Sequence, residues 1–173
     1  MTRVYIGIGS NIEREKHIVT ALDCLDALFA NLTVSPVYES EAIGFSGALF
    51  LNLVVSAETE LVLTDVLAAI RAIEAKNGNS GQQPKFSSRS LDLDLLTYGD
   101  YCGASNGTVL PRADIVDYAY TLWPLVDIAA NELHPQLRIS YSELRQQFGD
   151  AQKLWSVPFI WRGTDLSAVK QAS

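Results

Sequence analysis

A chain of 173 residues, 48% hydrophobic and 19% charged, is long enough to bury one sizeable core, so a single domain over 1–161 with a flexible tail over 162–173 is expected. A net charge of -7 excludes a general nucleic-acid or membrane-surface binder, because phosphate binding along a backbone needs a cationic face. Cys24 and Cys102 lack any metal-ligand spacing, the start Met1 to Gly7 is unlike a signal block, and no apolar run is long enough to span a membrane, so a cytoplasmic protein with reduced thiols is expected, monomeric or weakly self-associating.

Val4, Ile6 and Ile8 alternate before Gly9-Ser10-Asn11 and predict a first strand ending in a turn. Ile18, Ala21, Leu22, Leu25, Leu28 and Phe29 then fall at helical spacing, with Ser10 or Asn11 near the helix cap. A β-rich segment runs from Leu32 to Tyr38. After a Gly-containing loop, Leu49, Leu51, Leu53 and Val55 alternate as a third strand, with Phe50 and Asn52 on its opposite face. A second helix begins near Thr64, carries Leu63, Val66, Leu67, Ile70 and Ile73 on its apolar side, and ends before Asn77-Gly78. The polar, Gly- and Ser-rich stretch Asn77 to Ser88 reads as a mobile loop or a linker, and its place just ahead of an acidic strand suits a lid.

That strand, Arg89-Ser90-Leu91-Asp92-Leu93-Asp94-Leu95-Leu96, carries the clearest chemical signal. Side chains alternate across an extended chain, so Leu91, Leu93 and Leu95 share one side while Asp92 and Asp94 project together from the other, their backbones roughly 7 Å apart. Two readings follow from the pattern alone: an amphipathic strand with a solvated acidic face, or a pair of carboxylates flanking divalent cations. Downstream, turns lead to Leu122-Trp123-Pro124-Leu125, and Ser140-x-x-Glu143 forms a capping box for a helix with Leu144 and Phe148. Leu154 to Trp161 is placed to dock on the core. His17 and His134 lack ligand spacing and read as structural or solvated. The order strand, helix, strand, strand, helix, strand suits a ferredoxin-like βαββαβ α+β sheet with helices packed on one face and a C-terminal helical extension.

Four segments together resemble the 6-hydroxymethyl-7,8-dihydropterin pyrophosphokinase family of folate synthesis: Tyr5 to Asn11, Phe50-Leu51-Asn52, Arg89 to Leu96, and Tyr120 to Leu125. The resemblance implies transfer of diphosphate from ATP to the pterin hydroxymethyl oxygen, with attack on the β-phosphorus and release of AMP. It implies that Asp92 and Asp94 hold two Mg²⁺ ions, with Arg89 as a catalytic cation. Ala42, Ile43, Gly44, Phe50, Asn52 and Tyr120 are implied on the pterin side, and Glu74, Lys85, Phe86, Arg89, Leu95 and Arg112 on the ATP side. The implied partners are these two small molecules, with neither nucleic acid nor membrane.

The chain departs from the family pattern where arginines usually close over the triphosphate. Their places fall on Asn79 and Gly81, Tyr118 stands where the family commonly has arginine, and Pro111-Arg112-Ala113 replaces a Pro-His element. Lys85 in an arginine position would supply charge without a planar fork. The alternative to a working enzyme is a catalytically weak or inactive pterin-binding homologue.

Overall fold

The computed structural model describes residues 1–84, 86–149 and 152–167. In chain order the elements are β1 (Thr2–Ser10), α1 (Arg14–Leu28), β2 (Ala30–Val34), β3 (Val37–Ser40), β4 (Phe50–Thr59), α2 (Leu63–Lys76), β5 (Asp92–Tyr98), β6 (Gly103–Ser105), β7 (Thr108–Leu110), α3 (Asp114–Asp117), α4 (Ala119–Ala129), α5 (Tyr141–Gln147), β8 (Leu154–Val157), β9 (Ile160–Trp161) and β10 (Thr164–Asp165). An antiparallel sheet runs in the order β5, β1, β4, β3, β8, and β2 also pairs with β4. No helix among the described residues is long and apolar enough to cross a membrane.

The alternation in the sequence has one direct consequence: Val4, Ile6 and Ile8 of β1, Leu51, Leu53 and Val55 of β4, and Leu93 and Leu95 of β5 all face one side. There they meet Ile18, Leu22 and Leu25 of α1 and Val66, Leu67, Ile70 and Ile73 of α2. Burying such a side chain contributes roughly 1.5–3 kcal/mol, so this layer dominates the stability of the sheet. The opposite face also carries an apolar core. Tyr5, Val54 and Leu96 are buried there against Ile115, Leu122 and Leu125, with Tyr141 and Leu144 of α5 behind them. Helices therefore cover both faces, which corrects the expectation of a one-sided layer. The expected C-terminal extension is what closes the second face.

Three local expectations also change. α1 has no side-chain cap and begins after Glu13 in a left-handed conformation, because Ser10 and Asn11 are buried and bonded elsewhere. The segment expected as one strand over Leu32 to Tyr38 divides at Ser35-Pro36. Proline has no N–H for the ladder, and between the Val34–Val55 and Tyr38–Asn52 pairs the edge carries one residue more than β4, a bulge. Of the expected flexible tail, Arg162 to Ser167 continue a hairpin docked on α1, where the Arg162 guanidinium pairs with Asp23 at 3.0 Å and Asp26 at 2.6 Å. Residues 168–173 lie outside the described residues.

Candidate functional site

Asp92 and Asp94 do share a face of β5, and their neighbours on β1 are Gly9 and Gly7 respectively. Gly9 borders the open groove with Asp92, whereas the space over Gly7 is taken by the Leu96 side chain, 3.6 Å from where a Cβ would lie. Across the same row, Gly9 pairs with Asn52 of β4 and Asn52 with Tyr38 of β3. A Cβ on Gly9 would lie 3.2 Å from Asn52 Oδ1, so glycine is what allows the amide and Asp92 to border one open groove. Asn52 Nδ2 donates to Ser40 Oγ at 2.8 Å within the buried sheet, which satisfies one end of the amide.

Two clefts meet at the acidic pair. The larger, about 370 Å³, is lined by Asn52 and by the rings of Phe45, Phe50, Phe86, Tyr118 and Tyr120. The smaller, about 240 Å³, is lined by Glu74, Asn79, Leu95 and Thr108, among others. Arg89, Asp92, Asp94 and Arg112 border both. One cleft is thus an aromatic-lined slot and the other a more polar trough.

Burial, followed by the neighbouring Asp92 charge, pushes the Asp94 carboxyl above its ordinary value. Asp92 is raised in the same sense by burial and then by Glu74, and burial also raises Glu74. Glu74 Oε2 accepts from the Leu93 backbone N–H at 3.0 Å and from Asn79 Nδ2 at 3.3 Å, so this helix acid turns inward to β5. Arg112 offsets the charge in part: its Nη2 lies 3.5 Å from Asp94 and 3.4 Å from Asp114, while its buried Nε has no hydrogen-bond partner among the described residues. The donor set fits a magnesium site. No group of three or more His, Cys, Asp or Glu gathers for a metal among the described residues, but Mg²⁺ keeps waters and takes phosphate oxygens, so one or two carboxylates suffice. Two under-compensated, half-buried carboxylates are suited to such an ion.

Most of the residues singled out in the sequence come together here. Ile43, Phe50, Asn52 and Tyr120 border the aromatic cleft, whereas Ala42 faces an adjoining cavity of about 260 Å³ that also touches Ile43 and Tyr120. Gly44, at φ +78°, lies beneath Phe86: a Cβ there would sit 3.3 Å from the Phe86 Cβ. Glu74 and Leu95 border the polar cleft, Arg89 and Arg112 both clefts, and Lys85 lies outside the described residues. Arg89 Nη2 donates to the Pro84 carbonyl at 2.8 Å, so its guanidinium braces the loop as well as bordering the clefts. Asn79, expected from the sequence in the place of a lid arginine, is buried and donates to the Leu91 carbonyl at 2.7 Å, which makes it a tether between the loop and β5.

The sequence marked Asn11 only as a helix-cap candidate and part of the Tyr5 to Asn11 segment, and marked Phe45 and Asp114 not at all. Asn11 Nδ2 donates to the Ala48 carbonyl at 3.1 Å and to Ser88 Oγ at 3.2 Å, joining the loop before β4 to the loop before β5. Its place in Gly9-Ser10-Asn11 at a strand end was the available signal. Phe45 and Asp114 carry no such mark, since each reaches the cleft only through tertiary packing.

An acidic pair set between an aromatic slot and a polar trough suits a protein that brings two small ligands to one centre. Residues 5–130 match the model of 7,8-dihydro-6-hydroxymethylpterin-pyrophosphokinase, and the chain belongs to that family. It is 31% identical over 149 residues to the 2-amino-4-hydroxy-6-hydroxymethyldihydropteridine pyrophosphokinase of Aquifex aeolicus, covering 85% of this chain and 92% of that one. The protein of the same name from Pseudomonas aeruginosa is 34% identical over 146 residues, covering 79% and 83%. Among solved structures, Plasmodium falciparum HPPK-DHPS superposes with a TM-score of 0.65 at 13% identity, a likeness of fold, over 85% of this chain and 43% of that longer chain.

Proposed function

We infer that this chain is the pyrophosphokinase that transfers diphosphate from ATP to 6-hydroxymethyl-7,8-dihydropterin in folate biosynthesis. The observation that carries this reading is the meeting of the aromatic and polar clefts at Asp92 and Asp94. The hydroxymethyl oxygen attacks the β-phosphorus, the bond from that phosphorus to the α–β bridging oxygen breaks, AMP leaves with that oxygen, and the hydroxyl proton is released. Little covalent work falls to the protein in such a transfer; positioning and charge stabilisation supply the rate.

The pterin is assigned to the cleft lined by Phe50 and Tyr120, where a flat ring can stack on aromatic side chains and Asn52 can exchange hydrogen bonds with its edge. Ile43 and Gly44 bound the loop at that end. ATP is assigned to the trough beside Glu74, Leu95 and Arg112, next to the aromatic cleft that Phe86 borders. Two Mg²⁺ ions held by Asp92 and Asp94 would neutralise the phosphate oxygens. Arg89 and Arg112 border both clefts and so can follow charge as it shifts between substrates. The strand order and the two helical crossovers support reading the scaffold as ferredoxin-like, with 1–161 acting as one unit.

The test is AMP release from ATP by purified protein with Mg²⁺, with and without the pterin, using Asp92→Ala/Asp94→Ala as control. Pterin-dependent AMP that the control abolishes is the expected result. Absence of pterin-dependent AMP from the folded wild-type chain would overturn the assignment.

A further inference from the structure

We propose that Tyr118 and Phe45 are positioning residues that brace the two aromatic walls of the larger cleft and so set the width of the slot for a flat bicyclic ring. This rests on the reading of that cleft as the pterin side. The wall rings Tyr120 and Phe50 each pack against a second ring that also borders the cleft. Tyr120 stacks on Tyr118 with centroids 4.9 Å apart and planes 17° from parallel, and Phe50 meets Phe45 edge-on at 6.4 Å and 88°.

Neither arrangement is an accident of local sequence. Residues two apart on a helix do not face each other, so Tyr118 and Tyr120 stack only because Tyr118 is extended, at φ -130° and ψ 124°, in the step between α3 and α4. On the other wall, Phe45 sits in a loop with neither helix nor strand to aim it. Its ring folds back past Gly47, where a Cβ would lie 2.4 Å from Phe45 Cε2, so only glycine leaves the ring this position. The loop is pinned at its far end, where Asn11 Nδ2 donates to the Ala48 carbonyl and Arg14 Nη1 to the Leu49 carbonyl.

Neither Tyr118 nor Phe45 belongs to the two apolar cores. Their contacts with the wall rings are therefore not needed to hold the sheet. What they supply is order: a wall ring with one face open can turn about its side-chain bonds, and that freedom must be given up whenever a ligand enters. A ring already held by a neighbour has given it up in advance. The Tyr118 hydroxyl has no part in a face-to-face stack, so phenylalanine should serve as well, and leucine, which is apolar but smaller and without a ring, should not.

The test is calorimetric titration with 6-hydroxymethyl-7,8-dihydropterin, together with KM for the pterin and for ATP, on wild type, Y118F, Y118L, F45L and G47A. Thermal melts establish that each is folded. Y118L and G47A are expected to weaken pterin binding about three- to tenfold, the change a lost ring–ring contact produces, without a matching rise in KM for ATP. Y118F is expected to stay within about twofold of wild type, since it keeps the stack. Wild-type pterin affinity in Y118L, or a parallel loss for pterin and ATP, overturns the bracing role; if Y118L does not fold, F45L and G47A decide by the same criterion. Wild type that binds no pterin overturns the functional reading and the inference with it.

Discussion

Asn11 and Arg89, 78 positions apart in the chain, hold each other by a reciprocal pair of bonds: the Asn11 backbone N–H donates to the Arg89 carbonyl at 3.0 Å, and the Arg89 backbone N–H donates to Asn11 Oδ1 at 2.7 Å. The end of β1 is thereby sewn to the start of the acidic strand at the point where both clefts open. With its bonds to Ala48 and Ser88, this one buried amide orders loops on both sides of the site.

Asn11→Ala orphans several of those partners at once. Leaving a buried polar group unpaired costs about 1–3 kcal/mol, so urea denaturation should show a loss in that range. Because both loops depend on the same amide, kcat/KM should fall for pterin and for ATP together, measured by initial rates with each substrate varied in turn.

Asp94→Asn separates stability from chemistry. The folded chain holds the Asp94 carboxyl above its ordinary value, so near neutral pH its ionisation favours the unfolded state, and neutralising it should raise the melting temperature. Activity should move the other way, falling at least about a hundredfold, as removal of one preorganised charge-stabilising group commonly does. Paired melts and AMP assays on the same preparations check both signs.

Gly9→Ala and Gly7→Ala form a matched pair on one strand. A methyl at position 9 would press on Asn52 Oδ1 at 3.2 Å, whereas one at position 7 makes ordinary contact with Leu96 at 3.6 Å. We expect KM for the pterin to rise about tenfold in Gly9→Ala, equivalent to about 1.4 kcal/mol, and to change little in Gly7→Ala. Equal effects in steady-state assays would contradict the role assigned to the groove beside Asp92.

His134 gives the fold an acid sensitivity of its own. Burial lowers its pKa below the ordinary 6.5, and its Nδ1 accepts from the backbone N–H groups of Gln136 at 3.2 Å and Leu137 at 3.1 Å, which requires the unprotonated nitrogen. The unfolded chain therefore takes up this proton first as pH falls. The stability it supports is complete above about 6.5 and declines below that value. His134→Asn keeps an acceptor without the titration, so its stability relative to wild type should improve between about pH 7 and about pH 5 in denaturant titrations.

Sequence periodicity determined a good part of this molecule. Alternation at Val4 to Ile8, Leu51 to Val55 and Leu91 to Leu95, with helical spacing in α1 and α2, specifies which face of each element is buried, because side-chain direction repeats every two residues on a strand and every 3.6 on a helix. The same rule set Asp92 and Asp94 side by side and Asn52 on the face opposite the leucines.

Only the tertiary structure decided what covers that second face. Tyr5, Val54 and Leu96 are scattered among glycines and acids, so the local pattern reads as polar, and their burial depends on α4 and α5 arriving from far along the chain. Ser10 shows the competition directly. A helix cap was its best local use, but its hydroxyl donates to the Ser90 carbonyl, and a buried carbonyl needing a donor prevailed over a cap that water can replace. The clefts, the Asn11–Arg89 tie and the Tyr118–Tyr120 stack are of the same kind: each needs a distance between side chains, and sequence spacing specifies only direction.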